Sequence, residues 1–449
     1  MRKESPAKWV PTLYFMEALP YVTVNVISVI MYKEMNLSNT ELSLFTSFMY
    51  LPWVIKPLWS PIVDAFASER KWIIITQLIC CLSILGLALT ISTDFWLVAS
   101  LCFFSILAFV SATHDIAADG YYILALDSNG QARFVGIRST FYRVGMIFGQ
   151  GLLVMMAGWF KHGAPLSTNS NEARLFDVMP VEKAWAFTFY TLAAVVLFLV
   201  IYHKFVIKEV YKPNKGNNNP NYNLIDVVKN TGKEFVKTIV IFFTKKNIWT
   251  ALLFMLLFRF PEAQLVKIAS PFMLDSVENG GLALETEFVG LIYGTTGVIG
   301  LLLGGIVGGL LVAKDGLKKW LWPMVIAISL PDAVYLYMSC SFTSNHWIIG
   351  TCVFVEQLGY GFGFTAYMMY LIYFARGENS TSVYALCTAF MALGMMLPGM
   401  AAGWLSDLLG YRMFFIWILI ACAITFIVSA FLKIDPEFGK KTAKNVNNS

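Results

Sequence analysis

The sequence is poor in charge. Only 14% of its 449 residues are Asp, Glu, Lys or Arg, whereas about a quarter of an average soluble domain is charged. Hydrophobic residues make up 57% of the chain, with 36 Phe among them, and the mean hydropathy is +0.64. This composition excludes an ordinary soluble domain and predicts a polytopic membrane protein.

Metal-ligating residues are also sparse. The chain has only four His, without a paired spacing, and its seven Cys lie within apolar runs without the spacing of a metal site. We therefore expect no metal site, no cofactor and no disulfide framework, with the cysteines acting as small core residues. The net charge of +5 follows membrane topology, so we expect no nucleic-acid partner.

Twelve apolar segments are each long enough to cross a bilayer as a helix, which takes about 20 residues. They lie near 11–33, 40–62, 72–92, 95–118, 134–158, 183–205, 246–274, 287–312, 320–341, 346–374, 381–404 and 412–433. We predict an all-α integral membrane protein with twelve transmembrane helices, surrounded by lipid.

Basic residues are distributed unevenly over the loops between these segments. If the N-terminus is cytoplasmic, only Lys33, Lys161, Arg174, Lys183 and Arg412 fall on the outer side, and most other Lys and Arg residues fall on the inner side. Positive residues concentrate on the cytoplasmic side of membrane proteins. We therefore predict that both termini are cytoplasmic.

A polar stretch divides the chain in the middle. Residues 213–220 are rich in Pro, Gly and Asn, which indicates a flexible linker, and residues 224–243 interleave apolar residues with lysines. That second pattern is typical of an amphipathic helix on a membrane surface. We predict an N-terminal six-helix bundle over 1–205, a cytoplasmic linker over 206–245, and a C-terminal six-helix bundle with a tail over 246–449.

The two halves repeat each other weakly. Asp64 followed by Arg70 ends the second segment, and Asp315 followed by Lys318 and Lys319 ends the eighth. Two parallel six-helix halves with a midplane site between them are the major facilitator architecture. The chain resembles that superfamily, and the resemblance implies that Asp64 and Arg70 form a structural gate latch.

Several short motifs, in their order along the chain, resemble one branch of the superfamily, the AmpG-type muropeptide permeases and the related acetyl-CoA transporters. They are Lys56-Pro-Leu-Trp-Ser-Pro, His114-Asp-Ile-Ala-Ala-Asp119, Tyr142-Arg-Val-Gly-Met146, Arg259-Phe-Pro-Glu262-Ala and Glu356-Gln-Leu-Gly-Tyr-Gly. His114 stands where the family has Gln, Gln357 where it has Asn, and Arg259 and Glu262 where it has Lys and Asp.

The resemblance implies a transporter and not an enzyme. It predicts a proton-coupled importer of anhydromuropeptides (N-acetylglucosaminyl-anhydro-N-acetylmuramic acid with its stem peptide), working as a monomer in the bacterial inner membrane for peptidoglycan recycling. One alternative is a transporter of the same fold for another bulky anionic solute, such as an acyl-CoA, a siderophore or an oligosaccharide. An integral membrane acyltransferase is an alternative of a different class, with His114 and Asp115 as its only candidate base.

Charges inside apolar spans indicate function because they are costly to bury. Depth along the helices, at about 1.5 Å per residue, places Glu17 and Lys56 at the same level, and we predict an ion pair between them. A buried pair of this kind serves either structure or coupling. Glu356, Glu262, Asp115 and Glu17 are the candidate proton-coupling acids.

Arginines near mid-span are candidates for binding the carboxylates of the substrate, because a guanidinium holds a carboxylate through two hydrogen bonds. Arg143 and Arg259 lie about ten residues into the fifth and seventh segments, and Pro261 predicts a kink beside Arg259. The candidate substrate-binding residues are Arg143, Arg259, Tyr142, Gln264, Gln357 and Trp53.

A dense group of charges lies toward the cytoplasmic end of the fourth segment. We predict that this group closes one access state, and the alternative is a proton relay through Asp115 and His114, whose imidazole titrates in a useful range. The candidate gating residues are Lys56, Asp64, Arg70, His114, Asp119 and Arg138.

Overall fold

The computed structural model describes residues 5–66, 68–163, 178–210, 224–377 and 380–440, and all regular secondary structure in these ranges is helical. The chain packs as two compact units. The first unit comprises Met1–Lys237 and Ala283–Gly294, and the second comprises Thr238–Leu282 and Thr295–Ser449.

The first unit contains the first six predicted spans. Their helices are Pro6–Glu34, Asn39–Phe48 with Leu51–Phe66, Glu69–Thr90, Trp96–Ala125, Ser128–Met146 continued by Ile147–Leu153 and Val154–His162, and Val181–Val206. Spans 1 and 5 pack closely because Gly145 and Gly149 leave room: an added Cβ would lie 2.7 Å from the Phe15 carbonyl oxygen and 2.1 Å from Val22 Cγ1, respectively. The glycine of the Tyr142-Arg-Val-Gly-Met146 motif is thus required for helix contact.

The second unit contains the end of the linker helix and most of the last six spans. The helices of this half are Leu224–Thr244, Ile248–Leu257 with Phe260–Leu274, Thr286–Leu291 continued by Ile292–Gly297 and Val298–Asp315, Leu317–Ser329 with Leu330–Asp332 and Ala333–Ser341, His346–Ala375, Ser380–Leu409, and Tyr411–Ala430. The helix Leu224–Thr244 lies in the segment predicted as the linker helix.

Two spans of the second unit are broken at proline. Span 7 breaks at Phe258 and Arg259, just before Pro261, which confirms the predicted kink. Span 9 changes to a short 3₁₀ turn at Leu330–Asp332, around Pro331. Proline has no N–H to donate and its ring clashes with the preceding turn, so each break leaves backbone polar groups and nearby side chains able to bind other partners.

The described residues include nine helices that are long and apolar enough to cross a membrane, and the apolar pair Val236–Thr244 and Ile248–Leu274 bends by 101° at its break. Two further spans are less uniformly helical or apolar and complete the set of twelve. Asn39–Phe48 and Leu51–Phe66 are separated by a turn, and His346–Ala375 carries Glu356 and Gln357 in its middle. The prediction of twelve transmembrane helices is confirmed.

The helices of the first unit extend beyond the predicted cytoplasmic boundaries. Span 4 continues to Ala125, seven residues past the predicted end at 118, and span 2 continues to Phe66. Helical hydrogen bonding persists into segments that are too polar for a hydropathy criterion, so predicted ends fall short. Depths counted from the predicted ends are therefore too shallow.

A group of polar side chains lies at the outer end of the first unit. Glu34 accepts hydrogen bonds from Lys161 Nζ at 2.8 Å and from Trp185 Nε1 at 2.9 Å, and it also bonds to Thr286. His162 lies 2.9 Å from the Glu287 carboxylate. These contacts tie the segment Ala283–Gly294 into the first unit.

Candidate functional site

Five charged residues from four spans meet in the first unit. This N-terminal charge cluster consists of Glu17, Lys56, Asp115, Asp119 and Arg138. Lys56 pairs with Asp115, and Arg138 lies 2.6 Å from Asp119. Carboxylate oxygens of Glu17, Asp115 and Asp119 lie within 4.8 Å of one another. The two cations offset part of the repulsion among three carboxylates that would otherwise be prohibitive in an apolar bundle.

The prediction that Lys56 forms an ion pair with Glu17 is wrong. Lys56 pairs with Asp115, and Glu17 lies beside the carboxylates with its Oε2 lacking a hydrogen-bond partner among the described residues. Depth does not separate the two acids, because Glu17 lies eleven residues after Pro6 and Lys56 and Asp115 each lie ten residues before the ends of their helices at Phe66 and Ala125. The predicted end of span 4 at 118 places Asp115 only three residues from that end, too shallow to be a partner for Lys56.

The cluster lies deeper in the bundle than the sequence predicted. Ten residues of helix correspond to about 15 Å, so Lys56, Asp115 and Arg138 all lie about 15 Å from the cytoplasmic ends of their helices. The side chains of the two pairs remain between 24% and 38% exposed, whereas Glu17 is buried. The cluster therefore combines buried and accessible charges, which suits groups that exchange protons or contact a polar solute.

Aromatic rings surround the Arg138 end of the cluster. The guanidinium carbon of Arg138 lies 4.4 Å from the ring centre of Tyr14 and 5.5 Å from that of Tyr122. Tyr14 also donates a hydrogen bond to Asp119 over 3.2 Å. The cation–π contacts and the ion pair together fix the orientation of Arg138.

His114 belongs to a separate buried chain of polar groups. Its Nε2 lies 3.0 Å from the side chain of Gln77, which lies 2.9 Å from His203, and His203 lies 3.0 Å from Thr12. These bonds link spans 4, 3, 6 and 1. The side chain of His114 is thus engaged in helix packing, and none of its described hydrogen bonds joins the charge cluster.

Of the predicted latch between Asp64 and Arg70, only the side chain of Arg70 is described. The side chain of Asp64 lies outside the described residues. Arg70 donates from Nε to the carbonyl oxygen of Ile207 over 2.7 Å and from Nη2 to that of Lys204 over 3.0 Å, and it lies 3.7 Å from Glu209. Arg70 therefore caps the cytoplasmic end of span 6.

The candidate substrate-binding residues of the first unit include an aromatic group. Tyr21 packs edge to face with Trp53, with ring centres 5.3 Å apart, and lies 6.5 Å from Tyr142. Trp53, Tyr142 and Arg143 are partly exposed. Flat aromatic faces of this kind are suited to contact with sugar rings.

Three buried carboxyl groups meet in the second unit. This C-terminal carboxyl cluster consists of Glu262 of span 7, Asp332 of span 9 and Glu356 of span 10, whose carboxylate oxygens lie within 4.8 Å of one another. Each residue is at most 5% exposed. Glu262 and Glu356, predicted as coupling acids, are thus brought together, and Asp332 joins them.

Neutral donors contact the carboxyl cluster. Gln357 Nε2 donates to Glu356 Oε2 over 2.9 Å, and Tyr335 donates to the same oxygen over 3.5 Å. The Cys422 thiol lies 3.7 Å from Asp332. Gln357, predicted to bind substrate, is therefore bonded to a candidate coupling acid.

Arg259 lies beside this cluster and is held by aromatic side chains. It donates to the Tyr360 hydroxyl over 2.5 Å, and its guanidinium carbon lies 5.3 Å and 4.9 Å from the ring centres of Tyr360 and Phe364. The charge of Arg259 acts on the Glu262 carboxylate one turn further along. Stacking fixes the plane of the guanidinium, as bidentate carboxylate recognition requires.

Gln264 has a packing role in this structure. Its Oε1 accepts a hydrogen bond from Trp417 Nε1 over 3.0 Å, and its Nε2 donates to the Phe260 carbonyl oxygen over 3.2 Å. The residue is 2% exposed. Its amide therefore ties span 7 to span 12, and its contact with substrate stays a prediction.

Sequence reasoning missed Asp332 of the carboxyl cluster and several of the neutral groups around both clusters, and Asp332 is the most informative of these residues. An aspartate within an apolar span is a functional candidate by default, so the signal was available in Leu330-Pro-Asp332. The tyrosines could not have been singled out, because the chain has 20 Tyr and their partners depend on packing. Gln77 and His203 are missed for the same reason.

Comparisons with known proteins agree with this fold. The sequence is 24% identical over 393 residues to the anhydromuropeptide permease of Escherichia coli K12, covering 85% of this chain and 71% of the relative. It is 25% identical to the putative transporter AmpG 4 of Rickettsia conorii, covering 91% of this chain and 92% of that protein. The resemblance to AmpG-type proteins is therefore confirmed.

Solved structures of transporters share the architecture. The nucleoside transporter NupG superposes with a TM-score of 0.67 at 15% identity, covering 96% of this chain and 98% of that one. A POT family transporter in complex with 5-aminolevulinic acid superposes with a TM-score of 0.67 at 12% identity, covering 94% and 95%. Identities this low establish the fold alone.

The sequence also matches the family description of the Major Facilitator Superfamily over residues 12–376 and 265–448, which together span nearly the whole chain. Multiple apolar helices, charges that converge inside the bundle, and neighbours that are membrane transporters all agree with this match. The chain is a multi-pass membrane protein that belongs to the Major Facilitator Superfamily.

Proposed function

We propose that the protein is a proton-coupled transporter that imports anhydromuropeptides across the bacterial inner membrane for cell-wall recycling. It works as a monomer by alternating access, with six-helix bundles over 1–205 and 246–449 joined by the linker over 206–245. The substrate class rests on the similarity to the E. coli anhydromuropeptide permease. Proton coupling rests on the acids inside the bundles.

One observation carries this proposal. The motifs that resemble the AmpG branch lie far apart in sequence, yet Lys56 of the second span and Asp115 and Asp119 of the fourth belong to one charge cluster. Motif residues that come together in space support the family assignment more strongly than the motifs alone, because chance matches in sequence would not be expected to lie close together in the structure. Charged groups inside a transporter bundle commonly mark substrate or proton pathways.

The roles of the individual residues follow from charge and chemistry. Arg143 and Arg259 bind carboxylates of the substrate, with Trp53 and Tyr142 placed against sugar rings. Glu17 and Asp115 of the first unit and Glu262 and Glu356 of the second carry protons. Lys56, Asp119 and Arg138 stabilise the ionised state of the N-terminal charge cluster and change partners as it gains or loses a proton.

Purified protein in proteoliposomes tests the proposal. Radiolabelled GlcNAc-anhydroMurNAc-tripeptide should accumulate against its gradient when the outer medium is acidic, and a protonophore should abolish the accumulation. Labelled acetyl-CoA and a ferric siderophore, offered under the same gradient, test the alternative anionic substrates. Accumulation of either one in place of the muropeptide would overturn the substrate assignment.

The same vesicles test the enzymatic alternative. Mass spectrometry of the vesicle contents should recover the tripeptide substrate chemically intact. A cleaved or acylated product that requires the protein would indicate an integral membrane enzyme, and vesicles containing Asp115→Asn protein would then show whether His114 and Asp115 take part.

A further inference from the structure

The C-terminal carboxyl cluster differs from the N-terminal charge cluster in its charge balance. In the first unit, Lys56 and Arg138 each form an ion pair with a carboxylate. In the second unit, the side-chain donors described on the carboxyls are the neutral groups of Gln357, Tyr335 and Cys422. The guanidinium described beside them, that of Arg259, acts on Glu262.

Three carboxylates crowded into one buried site cannot all be ionised. Glu262, Asp332 and Glu356 lie within 4.8 Å of one another, and each is at most 5% exposed. With Arg259 as the adjacent cation, the cluster retains an excess of negative charge unless it binds a further positive charge. That charge must be a proton or a small cation.

A second observation points to a ligand in the same place. The Oε2 atom of Glu262 is buried and has no hydrogen-bond partner among the residues that the structure describes. A buried carboxylate oxygen without a partner is costly, because it loses its hydrogen bonds to water and gains none in return. A shared proton or a bound cation would supply the missing partner.

The backbone around the cluster is also typical of an ion site. Glu262 lies in the first turn after the break of span 7, and Asp332 lies in the 3₁₀ turn that interrupts span 9. Secondary transporters place their coupling ions at discontinuous helices. Two of the three carboxyls are therefore borne by helix breaks.

Glycine brings the third carboxyl to this position. An added Cβ at Gly359 of span 10 would lie 2.1 Å from the Ala327 carbonyl oxygen and 2.7 Å from Pro331 Cγ. Span 10 can approach the break of span 9 so closely only because residue 359 lacks a side chain. Glu356, one turn earlier, is thereby held against Asp332.

From this arrangement we propose that Glu262, Asp332 and Glu356 form one site that holds and exchanges a monovalent cation, H⁺ or Na⁺. Oxygens within 4.8 Å are close enough for one ion to contact all three, since oxygen ligands lie about 2.3–2.6 Å from a cation such as Ca²⁺, which is similar in size to Na⁺. A bound Na⁺ would be a metal ion, which the sequence did not predict. The inference rests on the proposed function in that the site then serves coupling.

Other titratable groups lie on the same and neighbouring helices. They are Arg259 and Lys267 of span 7, Lys314 and Asp315 of span 8, Tyr335 of span 9, Tyr360 and Tyr367 of span 10, Cys387 and Asp407 of span 11, and Cys422 of span 12. Among them Arg259 acts on Glu262, Tyr335 on Glu356 and Cys422 on Asp332. Lys267 lies five residues after Glu262, on another face of the helix.

Infrared spectroscopy of the purified full-length protein, without muropeptide, tests the site directly. The carbonyl stretch of protonated carboxyl groups should persist at a pH where exposed carboxylates are ionised, and it should fall as the pH is raised further. Asp332→Asn, Glu262→Gln and Glu356→Gln should each lower this pH-dependent band by about a third or more, because the proton is shared. The control Asp315→Asn, which removes a carboxyl paired with Lys319 at the end of span 8, should leave the band unchanged.

Two salts identify the ion. If added NaCl lowers the band and choline chloride does not, Na⁺ displaces protons from the site; if neither salt changes it, the ion is H⁺. The proposal is overturned if the band is absent in sodium-free buffer, or if the folded variants all keep the wild-type band. The infrared experiment contains no muropeptide, so its result does not depend on muropeptide uptake. Likewise, a negative infrared result does not decide whether the protein transports muropeptide.

Discussion

Arg138 of span 5 lies 2.6 Å from Asp119 of span 4, and one turn earlier on span 4 Asp115 pairs with Lys56 of span 2. Two carboxylates four residues apart on one helix face thus bind cations from two different helices. The pairs join three spans of the first unit through charge. Breaking one of them should affect both stability and transport.

Lys56→Met should lower proton-driven uptake about tenfold or more, because it leaves Asp115 with an uncompensated charge. Asp115→Asn should do the same, whereas the double variant should recover part of the lost thermal stability. Unfolding temperatures in detergent measure this coupling. Lys319→Met, which breaks the exposed pair with Asp315, serves as the control. If the decreases in unfolding temperature of the two single variants simply add in the double variant, the ion pair between Lys56 and Asp115 is contradicted.

Arg143→Ala should weaken binding of the muropeptide tripeptide more than binding of its peptide-free disaccharide, because the peptide adds carboxylates that the arginine can bind. We expect a loss of about tenfold for the tripeptide, with normal expression. Calorimetric titration of the purified protein with both ligands measures the difference. Unchanged affinity for both would remove Arg143 from the substrate site.

Arg259→Lys should weaken substrate binding although it keeps the charge, since lysine lacks the planar fork that Tyr360 and Phe364 hold in place. Tyr360→Phe keeps the ring and removes only the hydroxyl that accepts from Arg259. It should have the smaller effect on affinity. If Tyr360→Phe lowers the affinity more than Arg259→Lys does, the hydrogen bond from Arg259 to Tyr360 matters for binding and the plane of the guanidinium does not.

Gln264→Ala should lower stability and leave the apparent affinity for substrate unchanged. The variant loses the hydrogen bond from Trp417, worth about 0.5–1.5 kcal/mol. Trp417→Phe should lower the unfolding temperature in the same way, and the two effects should not add. A selective rise in the KM for uptake would instead return Gln264 to the substrate site.

Glu356→Gln should abolish accumulation driven by a proton gradient while sparing exchange of labelled for unlabelled substrate across the vesicle membrane. Exchange needs the substrate site and alternating access, whereas net accumulation also needs the coupling ion. Asp332→Asn should show the same separation, because both carboxyls belong to one cluster. Loss of exchange in a folded variant would make Glu356 a substrate-binding or structural residue.

The sequence predicted the number of helices because hydropathy reports burial in lipid directly. It could not predict where helices end, because hydrogen bonding continues into polar segments such as the stretch between 118 and Ala125. That error propagated into the depth of the charges. Counted from the predicted end at 118, Asp115 lies too shallow to reach Lys56, whereas span 4 continues to Ala125 and the structure pairs the two residues.

The candidate site was predictable only in part, because residue type indicates which groups are costly to bury but not which partner satisfies them. Glu262 and Glu356 were identified by charge alone, and the structure brings them together. Gln264 forms a hydrogen bond with Trp417, and His114 forms one with Gln77, in each case on a helix distant in sequence. Such pairings depend on helix rotation, which periodicity in a uniformly apolar span does not reveal.

The central claim, that muropeptide and proton move together, has a direct test in the reverse direction. Coupling is reciprocal, so a substrate gradient must drive protons if a proton gradient drives the substrate. Proteoliposomes containing a trapped pH-sensitive dye, with equal pH on both sides, should acidify inside when GlcNAc-anhydroMurNAc-tripeptide is added outside, and Glu356→Gln vesicles should not. Uptake of the labelled tripeptide by wild-type vesicles without any change in internal pH would contradict the account.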